Sequence, residues 1–213
     1  MSQGPAICEI TVLKITQTSE HFSKIDFISP EEGLSSCLIR NSKKSSTQAK
    51  PDIFDTAQIT FEQKGPSKPK FLTEYVPNLK RSQIGNTYRQ LEFACKYSTF
   101  LLNNTTYAPD PKELYRLGVK TLDAFELGCS AEIVLLKALY NFLKNEGFPV
   151  QESWWASVPQ NYKATAGKIL SSKLSQFDDN LEASEARTIQ ECTEYLLENI
   201  SNWIRKETDL RGI

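Results

Sequence analysis

Apolar and polar positions alternate with a period near two over the first third of the chain. Residues 7–15 are β-branched and apolar-rich, with Ile10, Val12 and Leu13 among polar neighbours. Residues 22–28 carry Ile25, Phe27 and Ile28, residues 34–40 form a third such run, and residues 53–63 place Phe54, Ala57, Ile59 and Phe61 in rough alternation. A fifth run spans 71–76. This pattern predicts five short strands. Between the second and third lies Ser29-Pro30-Glu31-Glu32-Gly33, a turn in which Pro fixes φ and Gly supplies a positive φ at the exit. Gly65-Pro66-Ser67 predicts a hairpin turn before the fifth strand. Five strands in about 80 residues predict a small closed or nearly closed barrel, the arrangement by which an all-β unit removes its edges.

From about Ser82 the period shifts to 3.6. Tyr88, Leu91, Cys95, Ser98 and Leu102 fit one helical face. Asp110-Pro111-Lys112-Glu113 starts a second helix, with a capping Asp, Pro in the first turn and a Glu at the positive end. Its stripe is Leu114, Leu117, Gly118, Thr121, Leu122 and Phe125. Ser130 is positioned to cap a third helix with a stripe of Ala131, Val134, Leu135, Ala138, Leu139 and Phe142, ended by Gly147 and Pro149. A weaker helix is expected over 164–174, a loop over 177–181, and a last helix carrying Ile189, Cys192, Leu196, Ile200 and Trp203. The chain therefore reads as α+β: an N-terminal five-stranded β-barrel over residues 1–80, of the size of an OB-fold, followed by a C-terminal all-α helical domain over 81–213.

Composition adds constraints. At 39% hydrophobic and 24% charged residues, the 213-residue chain has globular composition. No apolar run is long enough to cross a bilayer, the first nine residues lack the features of a signal peptide, and no membrane partner is expected. Five widely spaced cysteines read as reduced thiols, which suggests a cytoplasmic protein. No Cys-x-x-Cys pair occurs and His21 is the sole histidine, so neither zinc nor another cofactor is expected. No P-loop, nucleophile elbow or triad signature is present, and the paired carboxylates Glu31-Glu32 and Asp178-Asp179 sit in turn-like sequence; the chain is not expected to be an enzyme.

The net charge of −1 gives no general attraction to nucleic acid. The distribution is more informative. Between Glu32 and Asp52 there are four basic residues, Arg40, Lys43, Lys44 and Lys50, and no acidic one. Such a run is either a solvated loop or a phosphate contact. Single-stranded nucleic acid is held by cations along its phosphates and aromatic faces under its bases. Arg40, Lys43, Lys44 and Lys50 are candidate cations, with Lys68 and Lys70 before the fifth strand. Phe54, Phe61 and Phe71 are candidate platforms, though at these spacings each also fits a barrel core. Trp154-Trp155 fits either an interaction surface or a plug at the end of a bundle.

Several of these segments, in order, resemble the RecO family. Glu9-Ile10-Thr11-Val12-Leu13-Lys14 is similar to its first strand, Ser29-Pro30-Glu31-Glu32-Gly33 to its Thr-Pro-Glu-x-Gly turn, and residues 33–40 with Lys43-Lys44 to its strand and basic Arg-Gly-x-Arg-Arg stretch. Residues 132–147, with Phe148-Pro149, resemble the helix that ends in Leu-Gly-Tyr-x-Pro. The similarity covers residues 7 to about 150. Asn41 stands in place of a usual Gly, Ser46 and Gln48 in place of usual basic residues, and no four-cysteine zinc site follows Pro149. The resemblance implies an OB-fold for the barrel and, in function, a mediator of recombinational DNA repair in the DNA damage response. Such a protein binds single- and double-stranded DNA, anneals strands, and helps load recombinase onto strands covered by single-strand-binding protein. The implied partners are RecR and the C-terminal tail of single-strand-binding protein. That acidic, Phe-ended tail needs an apolar pocket and a cation, for which the third helix offers apolar residues from Ile133 to Phe142 with Lys137 and Lys144. The alternative is a protein-interaction adaptor of the same architecture with little DNA affinity.

Overall fold

The computed structural model describes residues 6–41, 49–65, 67–105, 109–177 and 183–199. The chain divides into two compact units: residues 1–81 with 105–119, and residues 82–104 with 120–213.

The first unit is built on a closed five-stranded barrel of β1 (Ala6–Gln17), β2 (Phe22–Ser29), β3 (Gly33–Arg40), β4 (Thr56–Gln63) and β5 (Lys70–Leu79), in the order β1-β2-β3-β5-β4. The barrel is OB-fold-like. All neighbours pair antiparallel except β3 and β5, which meet in parallel at Leu38 and Phe71. The long β1 pairs with β4 through its first half and with β2 through its second. A bulge between Val12 and Lys14 marks the change of partner. At the bulge the Val12 N–H donates to the Asp55 carbonyl (2.9 Å), and the Phe54 N–H donates to the Val12 carbonyl (2.9 Å).

Alternation then decides the core. Ile10, Val12, Ile25, Phe27, Cys37, Ala57 and Ile59 pack inside the barrel, each 2% exposed or less. Gly33 adopts the expected positive φ (68°), and the Ser29 hydroxyl accepts the Glu32 N–H at 3.1 Å. The fourth strand begins three residues later than the alternation suggests. Residues 53–55 form a turn in which Phe54, buried, takes a φ of 68°. A buried polar network secures this turn. Arg81 donates to the Phe54 carbonyl and to Thr56 (2.6 and 2.9 Å), and the Tyr75 hydroxyl donates to Asp55 (2.7 Å).

The helices are α1 (Tyr88–Asn104), α2 (Pro111–Glu126), α3 (Ala131–Asn145), α4 (Trp154–Ser157), α5 (Gln160–Ser171) and α6 (Ala183–Asn199), with a 3-10 turn at Ser82–Asn86. The start of α2 belongs to the barrel unit and its end to the helical unit. Asp110 caps α2 as expected, accepting the N–H groups of Lys112 and Glu113 at 3.0 and 3.1 Å. Ser130 occupies the N-cap position of α3 but makes no capping bond; its hydroxyl lies 3.5 Å from the Glu132 carboxylate. Gly147 (φ 82°) ends α3.

Two helices differ from expectation. In α1 the buried face is Phe93, Ala94, Tyr97, Ser98, Phe100 and Leu101, whereas Tyr88 and Cys95 face solvent. The helix has two apolar stripes, and the one with more aromatic area is buried. The fourth expected helix begins at Gln160, four residues earlier than periodicity suggested, after Pro159. In α3, Ile133, Leu136 and Leu143 are buried as well as the expected stripe, so this helix is the axis of the bundle, packed against α1, α5 and α6. Trp154 is fully buried, 5.7 Å from the Tyr140 ring, and so is bundle core. Ile200, Trp203 and the stretch 178–181 lie outside the described residues.

Candidate nucleic-acid interface

Antiparallel pairing of β2 with β3 puts Phe22 opposite Arg40, Lys24 opposite Leu38 and Asp26 opposite Ser36. The inward neighbours Ile25, Phe27 and Cys37 fill the core, so the alternate residues face outward. β5 adds Phe71 beside Leu38. The result is a small aromatic platform. Phe22 meets Phe71 edge-on at 5.9 Å between ring centroids, and the Arg40 guanidinium lies 5.9 Å from the Phe22 centroid. Both rings are half-buried, held in place while keeping part of their surface open.

Beside the platform runs an open groove of about 410 Å³. Lys24 and Asp26 from β2, Ser35 and Ser36 from β3, Lys68 from the β4–β5 connection and Lys70 at the start of β5 contribute to its walls. Strands two and three and the loop between strands four and five form the surface on which OB-folds take oligonucleotides.

The candidate cations fare differently. Arg40 is exposed at the platform and Lys68 is exposed on the groove wall. Lys50 is exposed on the segment leading to β4 and does not line the groove. Lys43 and Lys44 lie outside the described residues. Lys70 is half-buried; it pairs with Glu32, donates to Ser35 at 3.2 Å and lies 4.7 Å from the Phe61 centroid. Lys24, absent from the sequence-based candidates, pairs with Asp26 at 2.7 Å. Two of the groove's cations are thus balanced within the protein.

Of the candidate platforms, Phe54 and Phe61 are core residues (2% and 8% exposed) and Phe71 alone reaches the surface. Its partner Phe22 went unnoticed because only the strand pairing places it next to Arg40. Asn41 braces the entry to the basic loop: its N–H donates to the His21 carbonyl (2.7 Å) and its side chain accepts from Ser23 (3.0 Å).

In the helical unit, Lys137 is half-buried against the end of α5. Its Nζ donates to the carbonyls of Ile169, Leu170 (3.5 Å) and Ser172 (2.7 Å), closing the end of α5, where backbone acceptors lack helical donors. Burial and the nearby Lys120 push its pKa down. Lys144 is exposed in the last turn of α3, where a cation suits the helix dipole. Ile133 to Phe142 supply no open apolar pocket, because their apolar side chains, apart from that of Tyr140, are buried in the bundle.

No helix among the described residues is long and apolar enough to cross a membrane. The chain matches no protein-family model and no curated protein.

Proposed function

We propose that the barrel binds single-stranded nucleic acid across its β2–β3–β5 face, and that the chain is a non-enzymatic, RecO-like mediator of DNA repair. The observation that carries the binding is the Phe22–Phe71 platform with Arg40 above it, beside a lysine-bearing groove. Bases stack on such rings irrespective of sequence, and the cations follow the phosphates. The repair role, strand annealing, and the partners RecR and single-strand-binding protein rest on the sequence resemblance. An electrophoretic mobility assay with labelled single-stranded DNA at low salt tests the binding, and an unshifted strand overturns it.

A second reading, an adaptor with little DNA affinity, draws support from the ion pairs. Asp26 and Glu32 neutralise Lys24 and Lys70, two of the lysines that line the groove. Under that reading, removing either carboxylate leaves the chain as inert toward DNA as before.

A further inference from the structure

Phe22 opens β2 and Arg40 closes β3, so the pair that forms the platform is also the last pair of the β2–β3 ladder. A ladder frays at its end, where local opening costs least. Arg40 is exposed there, with its guanidinium 5.9 Å from the Phe22 centroid. A long side chain on a fraying strand gives up rotamer and backbone freedom when it meets a phosphate. Order that the free protein already imposes on the pair is a cost that binding no longer meets.

Both residues are tied down from outside the ladder. On the β2 side, the turn at residues 18–21 closes on Phe22. The Ser19 Oγ accepts the Phe22 N–H at 3.1 Å. The Phe22 carbonyl accepts the N–H groups of Thr18 and Ser19 (3.0 and 3.1 Å) and the Thr18 hydroxyl (3.0 Å). On the β3 side, Asn41 carries the pairing one residue beyond Arg40. Its N–H donates to the His21 carbonyl at 2.7 Å, its Oδ1 accepts from the Ser23 hydroxyl at 3.0 Å, and its Nδ2 lies 3.5 Å from the Ser19 carbonyl.

Ser19, His21 and Ser23 bracket Phe22 in sequence, so these contacts join the residue after Arg40 to the residues around Phe22. An asparagine suits the position because one short amide offers an acceptor and a donor at once. None of the residues involved belongs to the barrel's core cluster. The arrangement therefore contributes more to the placing of Arg40 than to the stability of the barrel.

We propose, on the reading that this face binds single strands, that Asn41 is a positioning residue for it. By clamping the end of β3 onto the β1–β2 turn, Asn41 holds the Arg40 guanidinium beside the Phe22 ring before a strand arrives. Ordering one such side chain in advance is worth roughly two- to tenfold in affinity.

The test is fluorescence anisotropy of labelled oligothymidylate at low salt, with a melting curve for each protein. The full-length parent is compared with Asn41→Ala, Ser23→Ala, Arg40→Gln, and Asn41→Ala combined with Arg40→Gln. Asn41→Ala keeps the backbone bond to His21 and removes the side-chain contacts. It is expected to weaken binding roughly two- to tenfold at an unchanged melting midpoint. Ser23→Ala removes the same side-chain bond from its other end and is expected to weaken binding likewise. Added to Arg40→Gln, Asn41→Ala is expected to cost nothing further, because a residue that acts through Arg40 then has nothing left to place. Full affinity in either single variant of the clamp, an equal loss with and without Arg40, or a loss that tracks a lowered midpoint overturns the proposal. In each of those cases the parent still binds and the reading of the face stands. A parent that binds no strand overturns that reading, and the positioning role with it.

Discussion

Phe22 and Arg40 occupy one outward pair on β2 and β3, yet the proposed binding asks different things of them. Phe22 supplies a ring face; its replacement by Ala removes stacking worth about 1–3 kcal/mol per base, or roughly 5- to 140-fold in affinity. Arg40 supplies a charge; Arg40→Gln removes one phosphate contact and about 0.7 from the slope of log affinity against log salt. Arg40, Lys50 and Lys68 are exposed, with no ion-pair partner among the described residues. If all three reach phosphates, the slope from these residues is about −2. Lys24 is balanced by Asp26, so Asp26→Asn releases a cation and is expected to tighten binding and steepen the slope by about 0.7. Fluorescence anisotropy of labelled oligothymidylate between about 50 and 200 mM salt reads both quantities. Phe22→Ala also forfeits an edge-on contact with Phe71, about 0.5–1.5 kcal/mol beyond area, so a melting curve must accompany it. The expected signature is a split: Phe22→Ala weakens binding at unchanged slope, and Arg40→Gln flattens the slope. If a folded Phe22→Ala protein binds like the parent, or Asp26→Asn binds no better, the stacking-and-phosphate reading of this face is wrong.

Other outcomes follow from the packing. Lys137→Met leaves the α5 carbonyls without their ammonium and is expected to lower unfolding free energy by about 1–2 kcal/mol in urea; an unchanged midpoint and slope removes Lys137 from the cap. Tyr75→Phe takes a hydrogen bond from the buried Asp55 and is expected to cost about 1–3 kcal/mol in the same assay; a neutral outcome denies the network its role. Burial raises the thiol of Cys8 to about 11 and that of Cys37 to about 12. An acid whose folded pKa is raised keeps protons that the unfolded chain sheds, so stability falls as pH climbs above ~8.5, the free thiol value. Replacing both by Ser is expected to flatten that decline, and an identical alkaline profile in the double variant refutes it.

The strands were legible because short β-branched and apolar runs with rough alternation are bounded by turn residues, with Gly33 at the positive φ its turn demands. Their closing order was not, because nothing local tells β3 to meet β5 rather than β4. The Phe54 turn was hidden for a related reason. Residues 53–55 look like the start of an alternating strand, and the groups that hold them in the turn, Val12, Arg81 and Tyr75, lie twenty or more residues away in sequence. In α1 the pattern itself was ambiguous, since Tyr88-Leu91-Cys95 and Phe93-Tyr97-Phe100 both follow helical spacing. Tertiary contact with α3 decides between them.

The site follows the same division between local and distant information. Lys24 and Asp26 stand two residues apart in a strand, hence on one face, so their ion pair was readable from spacing alone. Lys70 and Glu32 are 38 residues apart, and their pairing needed the barrel to close. A count of basic residues along the chain therefore overstates the charge available to a polyanion. It took Lys70 as open when Glu32 balances it, and Lys137 as a partner contact when the end of α5 consumes it. Aromatic content errs in the opposite direction. Phe54 and Phe61 are spent on the core, whereas Phe22 gains its place only through its register with Arg40. Charge and ring alone are thus poor guides to a nucleic-acid surface. The sharper criterion is a cation without an internal carboxylate next to a ring that the core does not bury, and among the described residues the pairing of Arg40 with Phe22 satisfies it.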